Sequence, residues 1–200
     1  GGTTDITVFG NNSIKHSAIL AVGGTNITND IAFGLRTPLS EAEKIKLKYG
    51  IANTSFLEKD EEIEIPALGD KKSRSISRGV LAQIIEPRVE EILCLIEQEL
   101  IRTELKDTLA SGMVITGGSS LLPGLIELAE QIFDLPTRVG YPRGVGGLSD
   151  VIRNPIYATA VGLAMYGFKN QKGNGHSIFR KQSILGRFIN GIKNWFKEAF

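Results

Sequence analysis

Short apolar or alternating runs occur along the chain, and stretches with helical spacing of hydrophobic residues separate them. The short runs predict strands over residues 1–9, 17–22, 62–66, 113–116 and 137–139. Gly10-Asn11-Asn12 is typical of a hairpin connection between the first two strands. Helical spacing predicts helices over 25–36, 40–49, 123–133 and 154–166, and a longer helix around the stripe 85–100. Because strands and helices alternate, the sequence predicts an α/β fold.

Individual residues mark the ends of several predicted helices. Ser40 and Glu43 fit a capping box at the start of the second helix, and Gly50 is placed to end it. Pro87 should kink the long helix or mark its start. Asn154 followed by Pro155 is typical of a helix start, with asparagine as the cap and proline in the first helical position.

The last eighteen residues have one continuous amphipathic pattern. At about 100° per residue, their large apolar side chains fall inside an arc of about 160°. That face contains Ile184, Leu185, Phe188, Ile189, Ile192, Trp195, Phe196, Ala199 and Phe200. The opposite half carries the cations Arg187, Lys193 and Lys197. Aromatic rings on one face and cations on the other suit the boundary between lipid headgroups and acyl chains.

The pattern of this tail helix also fits a piece of hydrophobic core. The stretch 169–182 before it is polar, contains glycine and lacks periodicity, which is typical of a flexible linker. Gly186 and Gly191 each weaken the helix by about 1 kcal/mol, so we expect it to form where an interface stabilises it. No stretch reaches the roughly 18 apolar residues of a spanning helix. We therefore favour a helix that lies on a membrane surface.

Composition narrows the classes of function. The chain has 23 basic and 22 acidic residues, and this net charge of +1 argues against a nucleic-acid-binding protein. Cys94 is the single cysteine, which rules out an internal disulfide and fits a reducing compartment. His16 and His176 are isolated, so the sequence predicts no metal site. The chain opens in a predicted turn without a signal peptide, and we expect a fragment of a longer protein.

Two glycine-rich turns are candidates for phosphate or nucleotide binding. In the first, 1–5, glycines let backbone N–H groups approach a phosphate, and threonines add hydroxyl donors; an ordinary hairpin turn is the alternative. The second, 117–120, joins a buried strand to a helix, where ligands bind in open α/β sheets. It has neither the lysine of a P-loop nor the spacing of a dinucleotide fingerprint, and a plain connection is its alternative.

The order of four segments resembles a known family. These segments are Gly1–Asp5, Ala42–Lys46, Ile115–Ser120 and Asn154–Ala164. They resemble the second half of the actin/Hsp70/sugar-kinase superfamily and, together with the tail helix, its FtsA family of bacterial cell-division proteins. The resemblance spans essentially the whole chain. It implies an actin-like (ribonuclease H-like) second domain with a smaller α+β subdomain inserted, plus the C-terminal amphipathic helix.

The resemblance also implies which parts are present. The implied parts are subdomain 2A (1–50 and 112–150), subdomain 2B (51–111), a helix returning to the first domain (151–168), the linker (169–182) and the membrane-targeting helix (183–200). The first phosphate loop, the domain with the catalytic acid and the family's small interaction subdomain are absent from this sequence. Phosphoryl transfer needs both halves of the cleft. We therefore expect this chain alone to bind ATP weakly or not at all, and not to hydrolyse it.

Candidate nucleotide-binding residues follow from the same resemblance, with ATP and Mg²⁺ as the implied cofactors of the full-length protein. They are Gly1, Gly2, Thr3 and Thr4 for the phosphates, and Glu43, Lys46, Gly117, Gly118 and Ser119 for the ribose and adenine. The usual Asp-X-Gly opening of the phosphate loop is absent. Glu43 and Lys46 are one helical turn apart and should face the same way, although a surface ion pair is the alternative. No catalytic residue is assigned.

The implied function is to tether FtsZ filaments to the inner face of the cytoplasmic membrane at the division site. The implied partners are the C-terminal peptide of FtsZ, further copies of the protein in an actin-like polymer, anionic lipids and other division proteins. Because such peptides are acidic, Arg78 and Arg88 are candidates to bind them, with solvated surface arginines as the alternative. Arg74 is a candidate for a protomer contact.

Three other members of the superfamily are rival interpretations. These are a sugar or acid kinase, an Hsp70-like chaperone and an actin-like pilus-assembly protein. A kinase needs no membrane helix, and the pilus-assembly protein is not expected to carry its own lipid-binding tail. The chaperone would have a β-rich substrate domain, which does not follow Gly167 here.

Overall fold

The computed structural model describes residues 1–57, 59–65, 73–144 and 152–173. Its strands are β1 (Thr4–Gly10), β2 (Ser13–Leu20), β3 (Glu62–Ile65), β4 (Arg74–Ser77), β5 (Met113–Ile115) and β6 (Thr137–Val139). Its α-helices are α1 (Gly24–Leu35), α2 (Leu39–Tyr49), α3 (Arg78–Arg102), α4 (Leu125–Phe133) and α5 (Ala158–Gly173). The chain divides into two compact units, 1–159 and 160–200.

The strands of the first unit pair two by two. β1 and β2 form an antiparallel hairpin, β3 and β4 a second antiparallel pair, and β5 and β6 a parallel pair. The hairpin turns at Asn11 and Asn12, whose φ angles of 51° and 63° lie in the left-handed region that asparagine tolerates. The five predicted strands and the hairpin are confirmed, although β2 begins at Ser13 and not at residue 17.

Helices supply most of the core of the first unit. α1 packs against α2 and α3, and α3 packs against α4. The predicted stripe of α3 is confirmed, since the structure buries Ile85, Val89, Leu93, Ile96 and Leu100, with Ile92 half-buried beside them. Ile31 of α1 and Phe133 of α4 have no exposed surface. The long helix α3 therefore contributes a large part of the core, and α1 and α4 both pack against it.

The predicted start of α2 is wrong, and the structure excludes one of the two roles predicted for Pro87. α2 begins at Leu39, and the Pro38 carbonyl accepts from the N–H groups of Glu41 and Ala42 at 3.0 and 2.9 Å. Ser40 therefore lies inside the helix and cannot cap it. α3 begins at Arg78 and is capped by the Ser77 hydroxyl, which accepts from the Val80 N–H. The proline at 87 is thus an interior residue of α3 and does not mark its start.

The last described helix begins as predicted but ends later. The Asn154 side chain accepts from the Ile156 N–H at 3.0 Å and caps a 3-10 turn over Pro155–Tyr157, from which α5 continues to Gly173. Residues 169–173, predicted as linker, are therefore helical. The rest of the predicted linker and the tail helix, 174–200, lie outside the described residues.

Candidate functional site

Glu43 and Lys46 of α2 face the first turns of α1. Lys46 Nζ lies 2.7 Å from Glu43 Oε2 and donates to the carbonyl oxygen of Gly24 at 3.0 Å. It also donates to the Thr28 hydroxyl at 2.8 Å, and that hydroxyl donates to the Glu43 carboxylate. The Lys46 side chain is 12% exposed and the Glu43 side chain 44%, so the carboxylate keeps an open side while the ammonium is largely enclosed.

The surroundings of Glu43 favour its charged form. Burial raises the pKa of Glu43, but the hydrogen bonds from Lys46 and Thr28, together with the charge of Lys46, lower it, and the net shift is downward. The carboxylate is therefore ionised at neutral pH. The three donors of the Lys46 ammonium are all engaged within the chain, so the open side of the Glu43 carboxylate is the part of the pair that can accept from the hydroxyl groups of a ligand. An acceptor of this kind suits the hydroxyl groups of a sugar.

Three segments of the chain converge at the start of α1. The Thr25 N–H donates to the Gly1 carbonyl at 2.8 Å, which holds the residues before β1 against the helix. A β-carbon on Gly24 would lie 2.4 Å from Ser119 Oγ, so the loop after β5 can come this close only because residue 24 is glycine. The residues before β1, the Glu43–Lys46 pair of α2 and the loop after β5 thus surround the start of α1.

The remaining predicted nucleotide-binding residues lie in the same two backbone segments. The Thr4 hydroxyl donates to the Val22 carbonyl at 2.7 Å, and the Thr3 backbone lies against Gly23. In the loop, the Ser120 hydroxyl donates to the Gly117 carbonyl at 2.7 Å. β-Carbons on Gly2 or Gly117 would meet nothing within 4 Å, and one on Gly118 would be 3.6 Å from Ile156 Cγ2. Space is therefore open beside both segments.

Sequence reasoning missed two contributors to this site. Gly24 supplies the carbonyl that Lys46 binds, and Thr28 supplies the hydroxyl between the acid and the base. Gly23 and Gly24 directly follow the strand predicted over 17–22, but nothing in the sequence connects them with the loop at Ser119. No motif around Thr28 in the sequence indicated a role for it, because its partners Glu43 and Lys46 lie on the neighbouring helix α2.

Comparison with known proteins identifies the family. The family model for cell division protein FtsA matches residues 1–162. The chain belongs to the FtsA family. The FtsA of Pseudomonas aeruginosa is 47% identical over 205 residues, and that of Escherichia coli is 36% identical over 209 residues. Each match covers 100% of this chain but 49% and 50% of those proteins, so the chain spans about half the length of its relatives.

Solved structures show the fold. MreB5 of Spiroplasma citri bound to ADP superposes with a TM-score of 0.69 at 20% identity, covering 88% of this chain and 54% of that one. The PilM-PilN type IV pilus biogenesis complex gives a TM-score of 0.59 at 20% identity, covering 83% of this chain and 43% of that one. The actin-like part of the predicted fold is therefore confirmed. FtsA family membership separates the chain from the kinase, chaperone and pilus-assembly alternatives.

The arginines predicted to bind the FtsZ peptide are both engaged within the chain. Arg88 holds Asp30 of α1 through two hydrogen bonds of 2.5 and 3.1 Å and also contacts Glu91, and the bond to Asp30 raises the pKa of Arg88. Arg78 donates to the Tyr49 carbonyl at 3.0 Å and to Glu61 at 2.8 Å. Ten residues of helix, about 15 Å, separate the two arginines, so the structure does not bring them together.

The other predicted contact residues are placed as follows. Arg74, the candidate protomer contact, donates to the Leu35 carbonyl at the end of α1. The membrane-binding residues of the tail all lie outside the described residues. Within the described ranges, no helix is both long enough and apolar enough to cross a membrane.

Proposed function

We propose that the protein containing this chain is an actin-like, ATP-binding cell-division protein that tethers FtsZ filaments to the inner face of the cytoplasmic membrane. The observation that carries the nucleotide part is the enclosed Lys46 ammonium, held by Glu43, Thr28 and the Gly24 carbonyl beside the loop at Ser119. Membership of the FtsA family supports the cell-division part.

The residues present fit a nucleotide. The open side of Glu43 can accept from ribose hydroxyls, and the open space beside Gly2 and Gly117 admits phosphate and adenosine close to the backbone. Mg²⁺ would arrive with the phosphates, since the described residues contain no group of three side chains placed to hold a metal ion. When bound, ATP would supply a negatively charged phosphate chain, which the backbone N–H groups of residues 1–4 would hold.

This chain supplies one side of that cleft, because it spans about half of its relatives. Phosphoryl transfer requires metal, phosphates and attacking water to be held together. We infer weak or absent ATP binding by the chain alone, and at most slow hydrolysis by the full-length protein. In the returning helix, Leu163, Tyr166 and Phe168 are exposed, as expected for side chains that would pack on a further domain.

Attachment to the membrane is assigned to the tail helix. A single amphipathic helix binds a bilayer weakly and reversibly. Polymerisation into an actin-like filament would place many such helices on one surface, and the gain in effective concentration would strengthen the attachment by a factor of about 10² or more. Membrane residence and self-association are then linked, and FtsZ is held at the surface through its C-terminal peptide.

A vesicle-flotation experiment tests this function. Full-length protein with ATP, FtsZ and vesicles containing anionic lipid should carry FtsZ to the top of the gradient. Trp195→Glu places a charge in the apolar face and should leave both proteins at the bottom, whereas Trp195→Phe keeps an aromatic ring and should float. Failure of the unaltered, polymer-competent protein to float, or flotation of Trp195→Glu, would contradict the proposal.

A further inference from the structure

Thr28 is a buried polar residue in the middle of the candidate site. It is 5% exposed and lies in the second turn of α1, facing α2. Its hydroxyl accepts from Lys46 Nζ at 2.8 Å and lies within donating distance of both the Glu43 carboxylate and the Gly24 carbonyl, the latter at 3.2 Å. Within the described ranges, no other side chain forms hydrogen bonds with both Glu43 and Lys46.

The chemistry of a hydroxyl explains why threonine suits this position. A hydroxyl has one proton to donate and two lone pairs that accept, so it can take a hydrogen bond from an ammonium while giving one to a carboxylate. Bonds to charged partners are about twice as strong as neutral ones, so the proton goes to Glu43 and not to the Gly24 carbonyl. Both charged ends of the pair are thereby tied to α1.

The hydrogen bonds of Thr28 fix the positions of the Glu43 and Lys46 side chains relative to α1, which the ion pair alone does not. Glu43 and Lys46 are one turn apart on α2, and an ion pair between two such long, flexible side chains does not by itself fix where they lie. Hydrogen bonds to Thr28 and Gly24 hold the pair at the start of α1, where Ser119 also lies close to the helix. The position of the carboxylate relative to the loop is then fixed before any ligand arrives.

We propose that Thr28 is a positioning residue for the nucleoside part of ATP, acting through Glu43 and Lys46. The proposal rests on the proposed nucleotide binding, and it assigns the hydroxyl no contact with phosphates. Loss of the hydroxyl should therefore weaken binding of ATP selectively and leave binding of inorganic tripolyphosphate unchanged.

Isothermal titration of the full-length protein with ATP and with tripolyphosphate tests the assignment. Thr28→Val should bind ATP about tenfold more weakly, the equivalent of about 1.4 kcal/mol, and Thr28→Ser should bind like the unaltered protein. Thr28→Ala is compared directly with Thr28→Ser, so the hydroxyl is still tested if valine disturbs folding. Thr137→Val is the matched control, because Thr137 is also buried and bonded but lies at the far end of the β5–β6 pair.

The possible outcomes distinguish failure of the proposed nucleotide binding from failure of the positioning role of Thr28. If the unaltered protein binds no ATP, the proposed nucleotide binding fails. If it binds ATP, and folded Thr28→Val and Thr28→Ala bind as tightly as Thr28→Ser, only the positioning role is overturned. Equal weakening for ATP and tripolyphosphate also overturns it, because a general loss of structure would affect both ligands.

Discussion

Replacing Gly112 with alanine should destabilise the protein severely. Gly112 precedes β5, and its φ of +76° belongs to the left-handed region in which a residue with a β-carbon is strained. A β-carbon at this position would lie 2.1 Å from the carbonyl oxygen of Pro136. That oxygen belongs to the backbone, and it accepts the Met113 N–H at 2.8 Å, so it cannot rotate away without losing the bond that aligns β5 with β6.

The magnitude follows from three terms. The left-handed conformation costs roughly 1–2 kcal/mol for alanine, overpacking costs about 1–3 kcal/mol, and the lost hydrogen bond costs about 1 kcal/mol. We expect a loss of about 3 kcal/mol or more from the free energy of unfolding. For a protein of this size, that lowers the melting temperature by roughly 6–12 °C.

Urea unfolding and thermal melting, both followed by circular dichroism, measure this effect. Gly118→Ala is the matched control, because its β-carbon would meet Ile156 Cγ2 at 3.6 Å, an ordinary contact, and its φ is not positive. The control should stay within about 1 kcal/mol of the unaltered protein. A Gly112→Ala variant as stable as the control would refute the reasoning from backbone geometry.

Four further predictions address the core, the ion pairs and the binding sites. Phe133→Ala should cost about 3–5 kcal/mol in urea unfolding, because this ring has no exposed surface; a loss below about 1 kcal/mol would contradict the assigned core. Hydrogen bonds from Arg102 and then His16 lower the pKa of Glu99 from 4.5 to about 2, so this carboxylate stabilises the fold above pH 4.5, and the contribution disappears as the pH falls toward 2. Glu99→Gln should therefore flatten the pH dependence of stability over that interval, and an unchanged profile would count against the ion pair. Arg88→Glu should weaken binding of the FtsZ C-terminal peptide by about tenfold, while Arg102→Glu, with the same charge change at the C-terminal end of α3, should not; equal affinities would remove Arg88 from the proposed docking site. ATP titrated by calorimetry should bind the full-length protein far more tightly than this chain alone, and tight binding by the chain would show that the second half of the cleft is unnecessary.

Local sequence patterns predicted an element correctly where all the residues that determine it lie within one short segment. The Asn11-Asn12 turn needs only two residues that tolerate positive φ, and the α3 stripe needs only apolar side chains at helical spacing. The spacing of Glu43 and Lys46 likewise places them on one face of α2. The capping box failed because the N-cap of α2 is Pro38, two residues before Ser40, and a short motif does not show at which residue the chain begins the helix.

The candidate site was only partly predictable for the same reason. Its acid, base and glycine turns were recognisable as separate motifs, but the Thr28 hydroxyl and the Gly24 carbonyl act on residues 15 or more positions away. The intrachain partners of Arg78 and Arg88 also come from distant segments, including an aspartate 58 positions from Arg88. From their charge, Arg78 and Arg88 were expected to be available to an acidic peptide. In the folded chain, both form hydrogen bonds with other segments.

The amino-acid sequence by itself determined the α/β class, the helix faces, the hairpin and the resemblance that family comparison confirmed. Periodicity and turn chemistry act over a few residues, so they can be read without knowing the fold. Only the tertiary structure decided that α1 begins against the loop at Ser119, that Thr28 joins Glu43 to Lys46, and that Arg78 and Arg88 are bound within the chain. These features depend on distances between segments far apart in the chain, and packing of the whole core sets those distances.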